Sequence, residues 1–247
     1  MVMISTGSTS ASFPLTVIFN THTAMENIKI TSSVMGWQPV SDTLTVRPLM
    51  IPESERQALV DFYNNTDGDN WRFNTNWMAD RGTECSWWGI TCNDNATHVT
   101  EIYMNYLANM GNNLSGNVPD TFVNLQYLRS LDLRSNKIIS LPENFGNLSN
   151  LTILNLRSND LLSLPESFGN LQQLNDLDIR YNDLNILPES FDNLTNLTSL
   201  QLKGNNFPVL TVDCLPIVSE MMVLLRQNYR LYQLSLVILQ LNSFQTT

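Results

Sequence analysis

The chain has 247 residues, 23 acidic against 13 basic side chains, three cysteines and 43% hydrophobic content, the composition of a globular protein of one or two domains with a buried core. A formal charge of −10 works against general binding to phosphate backbones, which draws its affinity from surplus Lys and Arg, so nucleic acid is not an expected partner. Leucine and asparagine dominate, with 36 and 31 copies, which points to an internal repeat.

Residues 1–51 are rich in Ser and Thr, carry few charges and show no helical or strand period, so they are read as a leader or disordered extension. The short apolar patch from Phe13 to Phe19 lacks a preceding basic region, which makes a poor secretory signal. Pro52 then stands at a plausible first-turn position for a short helix to Tyr63, with Ala58, Leu59, Phe62 and Tyr63 at helical spacing. Gly68-Asp69-Asn70-Trp71, Asn76-Trp77 and the run from Cys85 to Cys92 follow. Spacing alone leaves these two thiols open to a disulfide, a metal site or a redox motif. Zinc needs two further ligands, and His98 is the nearby imidazole. Asp67 and Asp69 flank Gly68 without the spacing of a calcium loop.

Val99, Ile102 and Met104 read as a strand, after which a regular coil would place an Asn near position 107; about five residues around Tyr106 to Gly111 read as an insertion. From Leu125 the chain repeats every 23 positions, with blocks opening at Leu125, Leu148, Leu171 and Leu194. The first block carries Leu128, Leu131, Leu133, Asn136, Ile139, Leu141, Pro142 and Phe145, and the second the same pattern through Leu162 to Phe168. The alternation Leu131-Asp132-Leu133 predicts a short strand with its leucines inward and Asp132 toward solvent. Asn136, Asn159, Asn182 and Asn205 fall at a bend, where a buried amide can satisfy unpaired backbone groups. The Pro after each corner leucine blocks strand pairing, and the following Phe fills the convex core. Residues 99–210 therefore make about five coils. Residues 211–247 are predicted to form a cap helix or degenerate repeat: Arg226, Gln227, Asn228 and Arg230 interrupt the apolar run from Met221 to Leu241, so it is not read as a membrane span. Cys214 is read as a buried thiol.

The 23-residue pattern resembles the leucine-rich repeat family, and Asn113-Leu114-Ser115-Gly116-Asn117-Val118-Pro119 is similar to the signature of its plant-type members. Residues 52–98 resemble the N-terminal cap of plant-type extracellular members, such as receptor-like and polygalacturonase-inhibiting proteins. The resemblance implies an α/β solenoid, a right-handed array of coils with a parallel β-sheet on the concave face and irregular or 3-10 segments on the convex face. It also implies a Cys85–Cys92 disulfide that closes the cap. Asn64 and Asn95 are the informative glycosylation sequons, because those at Asn113, Asn147, Asn150, Asn193 and Asn196 overlap the repeat pattern itself.

On such a scaffold the outward side chains of the inner strands are the candidate ligand-binding residues. One column is Arg134, Arg157, Arg180 and Lys203, with successive rungs about 4.8 Å apart if the strands pair in register. A second is Asp132, Asn155, Asp178 and Gln201, and Ile153, Asp176 and Tyr181 add shape and apolar contact, Ile153 and Tyr181 as anchors. The cations either attract an acidic protein surface or glycan, or are neutralised by Asp132 beside Arg134 and Asp178 beside Arg180. With His22 and His98 the two imidazoles and no phosphate loop, no catalytic residue, metal or cofactor is assigned. The expectation is a non-enzymatic module that binds a protein or glycan outside the cell, in perception or hydrolase inhibition. The alternative is a cytoplasmic signalling scaffold, because the Leu-Pro-Glu-x-Phe phrasing is also similar to Ras-associated leucine-rich repeat proteins.

Overall fold

The computed structural model describes residues 26–32, 40–46, 50–106 and 110–207. The chain divides into two units, Met1–Pro48 and Leu49–Thr247. In the first, β1 (Glu26–Ser32) pairs antiparallel with β2 (Val40–Val46), Ile28 lying opposite Leu44. This hairpin lies within residues 1–51, which the sequence suggested as a leader or disordered extension. Its only sequence signal is the brief alternation through Ile28, Ile30, Leu44 and Val46, set among turn-forming Ser and Thr.

The second unit opens with helix α1 (Glu53–Asn65), with Pro52 at the cap position before it, and Glu53 and Glu55 in its first turn, where the helix dipole favours acids. Ala58, Leu59, Phe62 and Tyr63 are buried. Phe62 meets Trp71 and Phe122 at ring centroid distances of 5.6 and 5.0 Å, and Trp71 meets Trp77 edge-on at 4.8 Å. Buried Glu84 pairs with Arg56, whose guanidinium also lies 5.2 Å over the Trp87 ring. A disulfide joins Cys85 to Cys92 across the end of this cluster. Buried Glu55 accepts the Val99 N–H at 2.8 Å, and its other oxygen lies 2.7 Å from His98 Nδ1, so a helix carboxylate fixes the start of the first inner strand. In the Gly-Asp-Asn loop, Asp67 and Asp69 accept hydrogen bonds from Asn70 and Tyr63.

Strands β3 (Ile90–Cys92), β4 (Val99–Tyr103), β8 (Ser130–Asp132), β10 (Ile153–Asn155), β11 (Asp176–Asp178) and β12 (Ser199–Gln201) form one sheet. Strand β3 comes from the cap and pairs antiparallel with β4; the other five run parallel. Leu131, Leu154, Leu177 and Leu200 are aligned across the sheet, so residues 23 apart in sequence are neighbours in space. The leucines of the first three of these strands are buried, as are Val99, Ile102 and Met104.

The asparagine ladder holds the coils together. Asn159 Nδ2 donates to Leu156 O in its own coil at 3.0 Å and to Leu133 O in the preceding one at 2.9 Å, while its Oδ1 accepts the Ile138 N–H at 3.0 Å. Asn182 and Asn205 repeat this, and Asn136 bonds to Leu133 O and Leu114 N. The first coil's equivalent is Asn112, five positions beyond 107. It is buried, accepts the Phe73 N–H at 2.7 Å and donates to Phe73 O at 2.9 Å, which extends the ladder into the cap. The inserted residues form a small antiparallel hairpin, β5 (Asn105–Tyr106) with β6 (Met110–Gly111). Beyond the ladder, β7 (Ser115–Asn117) pairs parallel with β9 (Lys137–Ser140), a second small sheet that the sequence reading did not anticipate.

On the convex side, 3-10 turns at Asp120–Asn124, Phe145–Asn147, Glu166–Asn170 and Glu189–Asn193 carry a stack of buried Phe145, Phe168 and Phe191, with centroids 6.1 and 6.2 Å apart. Ile139 and Leu162, which recur in the repeat pattern, are exposed. Ladder Asn159, Asn182 and Asn205 bond the N–H of residues 138, 161 and 184, which turns Ile138, Leu161 and Leu184 inward and the next side chain outward. Among the described residues no helix is long and apolar enough to cross a membrane. The expected C-terminal cap at 211–247, with Cys214, lies outside them.

Two stability predictions follow from this architecture. Asn159→Ala strands three buried backbone groups at once, and urea unfolding is expected to show a loss of about 3 kcal/mol or more; a loss below about 1 kcal/mol would show that the ladder is dispensable. Cys85→Ser opens the cap loop and is expected to cost about 2 kcal/mol; superimposable melting curves with and without reductant would contradict it.

Candidate recognition surface

The inner strands present their non-core side chains in columns set by backbone pairing. One column runs Glu101, Ser130, Ile153, Asp176, Ser199, and the next runs Tyr103, Asp132, Asn155, Asp178, Gln201. The third continues past the strands: Ser135, Ser158 and Tyr181 donate their N–H groups to the carbonyls of Arg157, Arg180 and Lys203, each at 2.8 Å. Arg134, Arg157, Arg180 and Lys203 therefore occupy successive coils on one face.

The second column does local structural work. The Oδ1 atoms of Asp132, Asn155 and Asp178 each accept the N–H two residues on, from Arg134, Arg157 and Arg180, at 3.1 Å. Asp and Asn both offer this short acceptor, which accounts for their alternation here. Asp132 and Asp178 are consequently buried rather than solvent-facing as the strand pattern predicted, because each folds over its own backbone beneath an arginine. Burial pushes the Asp132 carboxyl above the usual carboxylate range, although the Arg134 N–H and charge pull it back.

The rungs of the third column are unequal. Arg134 reaches Asp132 at 3.2 Å. Arg180 grips Asp178 with two bonds, Nε to Oδ1 at 2.9 Å and Nη2 to Oδ2 at 2.6 Å, and this pairing raises the arginine pKa further. Arg157 has Asn155 in place of the acid and makes no ion pair with any described residue; its guanidinium lies 5.2 Å from the centroid of the Tyr181 ring.

Tyr181 holds a left-handed backbone, φ 55°, at a position filled in the other coils by Ser135, Ser158 and Gly204, all with positive φ. A bulky residue there is strained. The ring also packs against Gly204, where an added Cβ would fall 2.5 Å from Tyr181 Cδ1. Tyr181 thus meets both a cation and a glycine. Together with Tyr103 and Ile153 it leaves apolar surface on the concave side, at 42%, 40% and 45% exposure. Ile153 and Tyr181 were legible from the repeat register. Tyr103 and Glu101 were not, because the insertion after β4 broke the 23-residue spacing that would have aligned them. The glycosylation candidates Asn64 and Asn95 are both exposed, and the sequon residue Thr66 is buried, donating to Phe62 O.

Comparison with known proteins agrees with this architecture. Residues 106–224 match the family model for the leucine-rich repeat region, and residues 52–93 match that for the leucine rich repeat N-terminal domain. No curated protein matches the chain. Among solved structures, it is similar to a plant ice-binding protein, with 25% identity and a TM-score of 0.50 over 63% of this chain and 49% of that one. The chain thus spans about half the length of that relative. It is also similar to the BIR3–SERK2 complex from Arabidopsis thaliana, with 26% identity, coverage of 60% and 79%, and a TM-score of 0.48. A pollen receptor kinase 3 gives 26% identity, coverage of 62% and 75%, and a TM-score of 0.48.

The elevated Asp132 pKa has a testable sign. The native state holds this proton more tightly than the unfolded chain does, so the ionised carboxylate costs stability above the native pKa. That cost fades as pH falls through the native value and then the unfolded one. Asp132→Asn keeps the acceptor for Arg134 N–H, as Asn155 does natively. The Tm difference, variant minus parent, is expected to be zero or positive near about pH 7 and to shrink toward about pH 3. A gap that widens on acidification would contradict the assignment.

Proposed function

The chain belongs to the leucine-rich repeat family and carries that family's N-terminal domain ahead of its coils, and on this premise we propose that it is a non-enzymatic recognition module that binds a protein ligand on its concave sheet. The observation that carries this reading is the in-register pairing of the inner strands, which aligns side chains from five coils on a backbone with little ordering left to occur on binding. The exposed anchors Tyr103, Ile153 and Tyr181 supply the aromatic and apolar surface in which interface energy concentrates. Asp132 and Asp178 support the backbone and contact a ligand only at their edges. Arg157, Arg180, Lys203, Asn155, Asp176 and Gln201 form the polar part of the surface.

The setting we propose is extracellular or at the cell surface. The Cys85–Cys92 bridge needs an oxidising compartment to persist, and Asn64 and Asn95 are exposed for glycan attachment. The same bridge weighs against the cytoplasmic scaffold. A role in ligand perception, or in restraining a secreted hydrolase, fits a rigid surface that aligns exposed side chains from successive coils.

The test uses the full chain, immobilised, to retrieve a partner from native extracellular fluid. Ile153→Asp is expected to lower retention at least about tenfold, whereas Leu162→Asp, on the flank, leaves it within about twofold. Equal losses from both substitutions would remove the concave face from consideration. Mass spectrometry of native protein is expected to find Cys85 and Cys92 joined; free thiols would return the cytoplasmic reading.

A further inference from the structure

The basic and acidic side chains of the repeats are distributed unevenly. Asp120, Glu143, Glu166, Glu189 and Asp192 lie along the convex turns, while Arg134, Arg157, Arg180 and Lys203 lie along the concave face. The concave face nevertheless carries both signs, with Glu101, Asp132, Asp176 and Asp178 standing among these cations, so the cation left without an acidic partner decides where a negative group can bind.

Within that cationic column the pairing differs from rung to rung. Both oxygens of Asp178 are held by Arg180, and Asp132 neutralises Arg134. Arg157 alone among these three arginines has a neutral amide, Asn155, two residues before it in the strand, and among the described residues its guanidinium lies over the Tyr181 ring without an ion pair. The ring cannot neutralise the charge. It lies 5.2 Å from the guanidinium carbon and accepts no N–H bond in place of a carboxylate, leaving the guanidinium donors available for a planar acceptor. Tyr181 pays for that position with a left-handed backbone that its counterparts adopt as serine or glycine, and Gly204 leaves the space in which the ring lies.

Resting on the concave-face reading, we propose that Arg157, beside the Tyr181 ring, is the open rung of the column and receives one Asp or Glu side chain of the protein partner, flanked by apolar contacts to Ile153 and Tyr181. A single open fork beside exposed apolar side chains suits an isolated carboxylate in a hydrophobic segment. A repeating acidic glycan would need several free rungs, and Arg134 and Arg180 are occupied.

The probes are two capped pentapeptides, Ala-Leu-Glu-Leu-Ala and Ala-Leu-Gln-Leu-Ala, and trigalacturonate, titrated into the full chain by NMR to about 10 mM, where a single charge-assisted contact registers. The glutamate peptide is expected to bind at least about fivefold more tightly than the glutamine peptide and to shift the Arg157 side-chain and Tyr181 signals. Arg157→Gln is expected to abolish that preference. Tyr181→Ser, which installs the residue found at 135 and 158, is expected to weaken it about threefold without unfolding the chain. Asp178→Asn keeps the acceptor for the Arg180 N–H and frees that guanidinium, so it is expected to strengthen binding of the glutamate peptide about threefold. Equal affinity for the two peptides, no saturable shift of Arg157, a preference that survives Arg157→Gln, or tighter binding of trigalacturonate would each overturn the proposal. If Ile153→Asp still abolishes partner retention in those cases, the concave-face reading stands without this contact.

Discussion

A backbone group buried between stacked coils has no water to bond with, and this constraint governs the rest of the molecule. At each bend after an inner strand, carbonyls and an N–H group point into the stack. One asparagine per coil satisfies them, because its amide offers two donors and an acceptor in a plane. The bonds run both within a coil and to its predecessor, so they fix the stacking distance and direction as well as the turn. Leucine burial supplies a non-directional driving force; the ladder turns it into a register.

The two ends of the stack pose the opposite problem, since a terminal coil would expose its leucines. At the N-terminal end the solution is an aromatic and helical lid. Asn112 extends the ladder into Phe73, Glu55 ties the helix to Val99, and β3 pairs with the first parallel strand. The lid is thus joined to the stack by the same kind of directional backbone bond that joins coil to coil, and the disulfide closes a structure already aligned by those bonds.

On the concave side, register has a chemical consequence. Because side chains at one position of each coil become neighbours, a change in one coil alters a surface shared by all. Replacing the aspartate of one coil with Asn155 leaves the backbone acceptor in place and changes only the charge, so structure and surface potential vary separately. The same separation holds at the left-handed position, where Tyr181 stands for serine: the turn is kept, and the side chain that projects from it differs.

The repeating part of this fold was legible in the sequence because stacking demands the same residue type at the same phase in each coil. The 23-residue period, the asparagine positions, the convex phenylalanines, the inner strands and even the five-residue insertion before Asn112 follow from that demand. The amphipathic helix was legible from its own apolar spacing. Features that depend on which way a backbone turns were not. Ile138 rather than Ile139 faces the core because an amide from the next coil captures its N–H, and the pattern Lys-Ile-Ile-Ser carries no mark of that choice. The columns could be written down beforehand, but the inequality of their rungs could not. Only the folded backbone brought Asp178 around onto Arg180 and left Arg157 against Tyr181, since those contacts depend on the rotamers and distances that adjacent coils impose on one another.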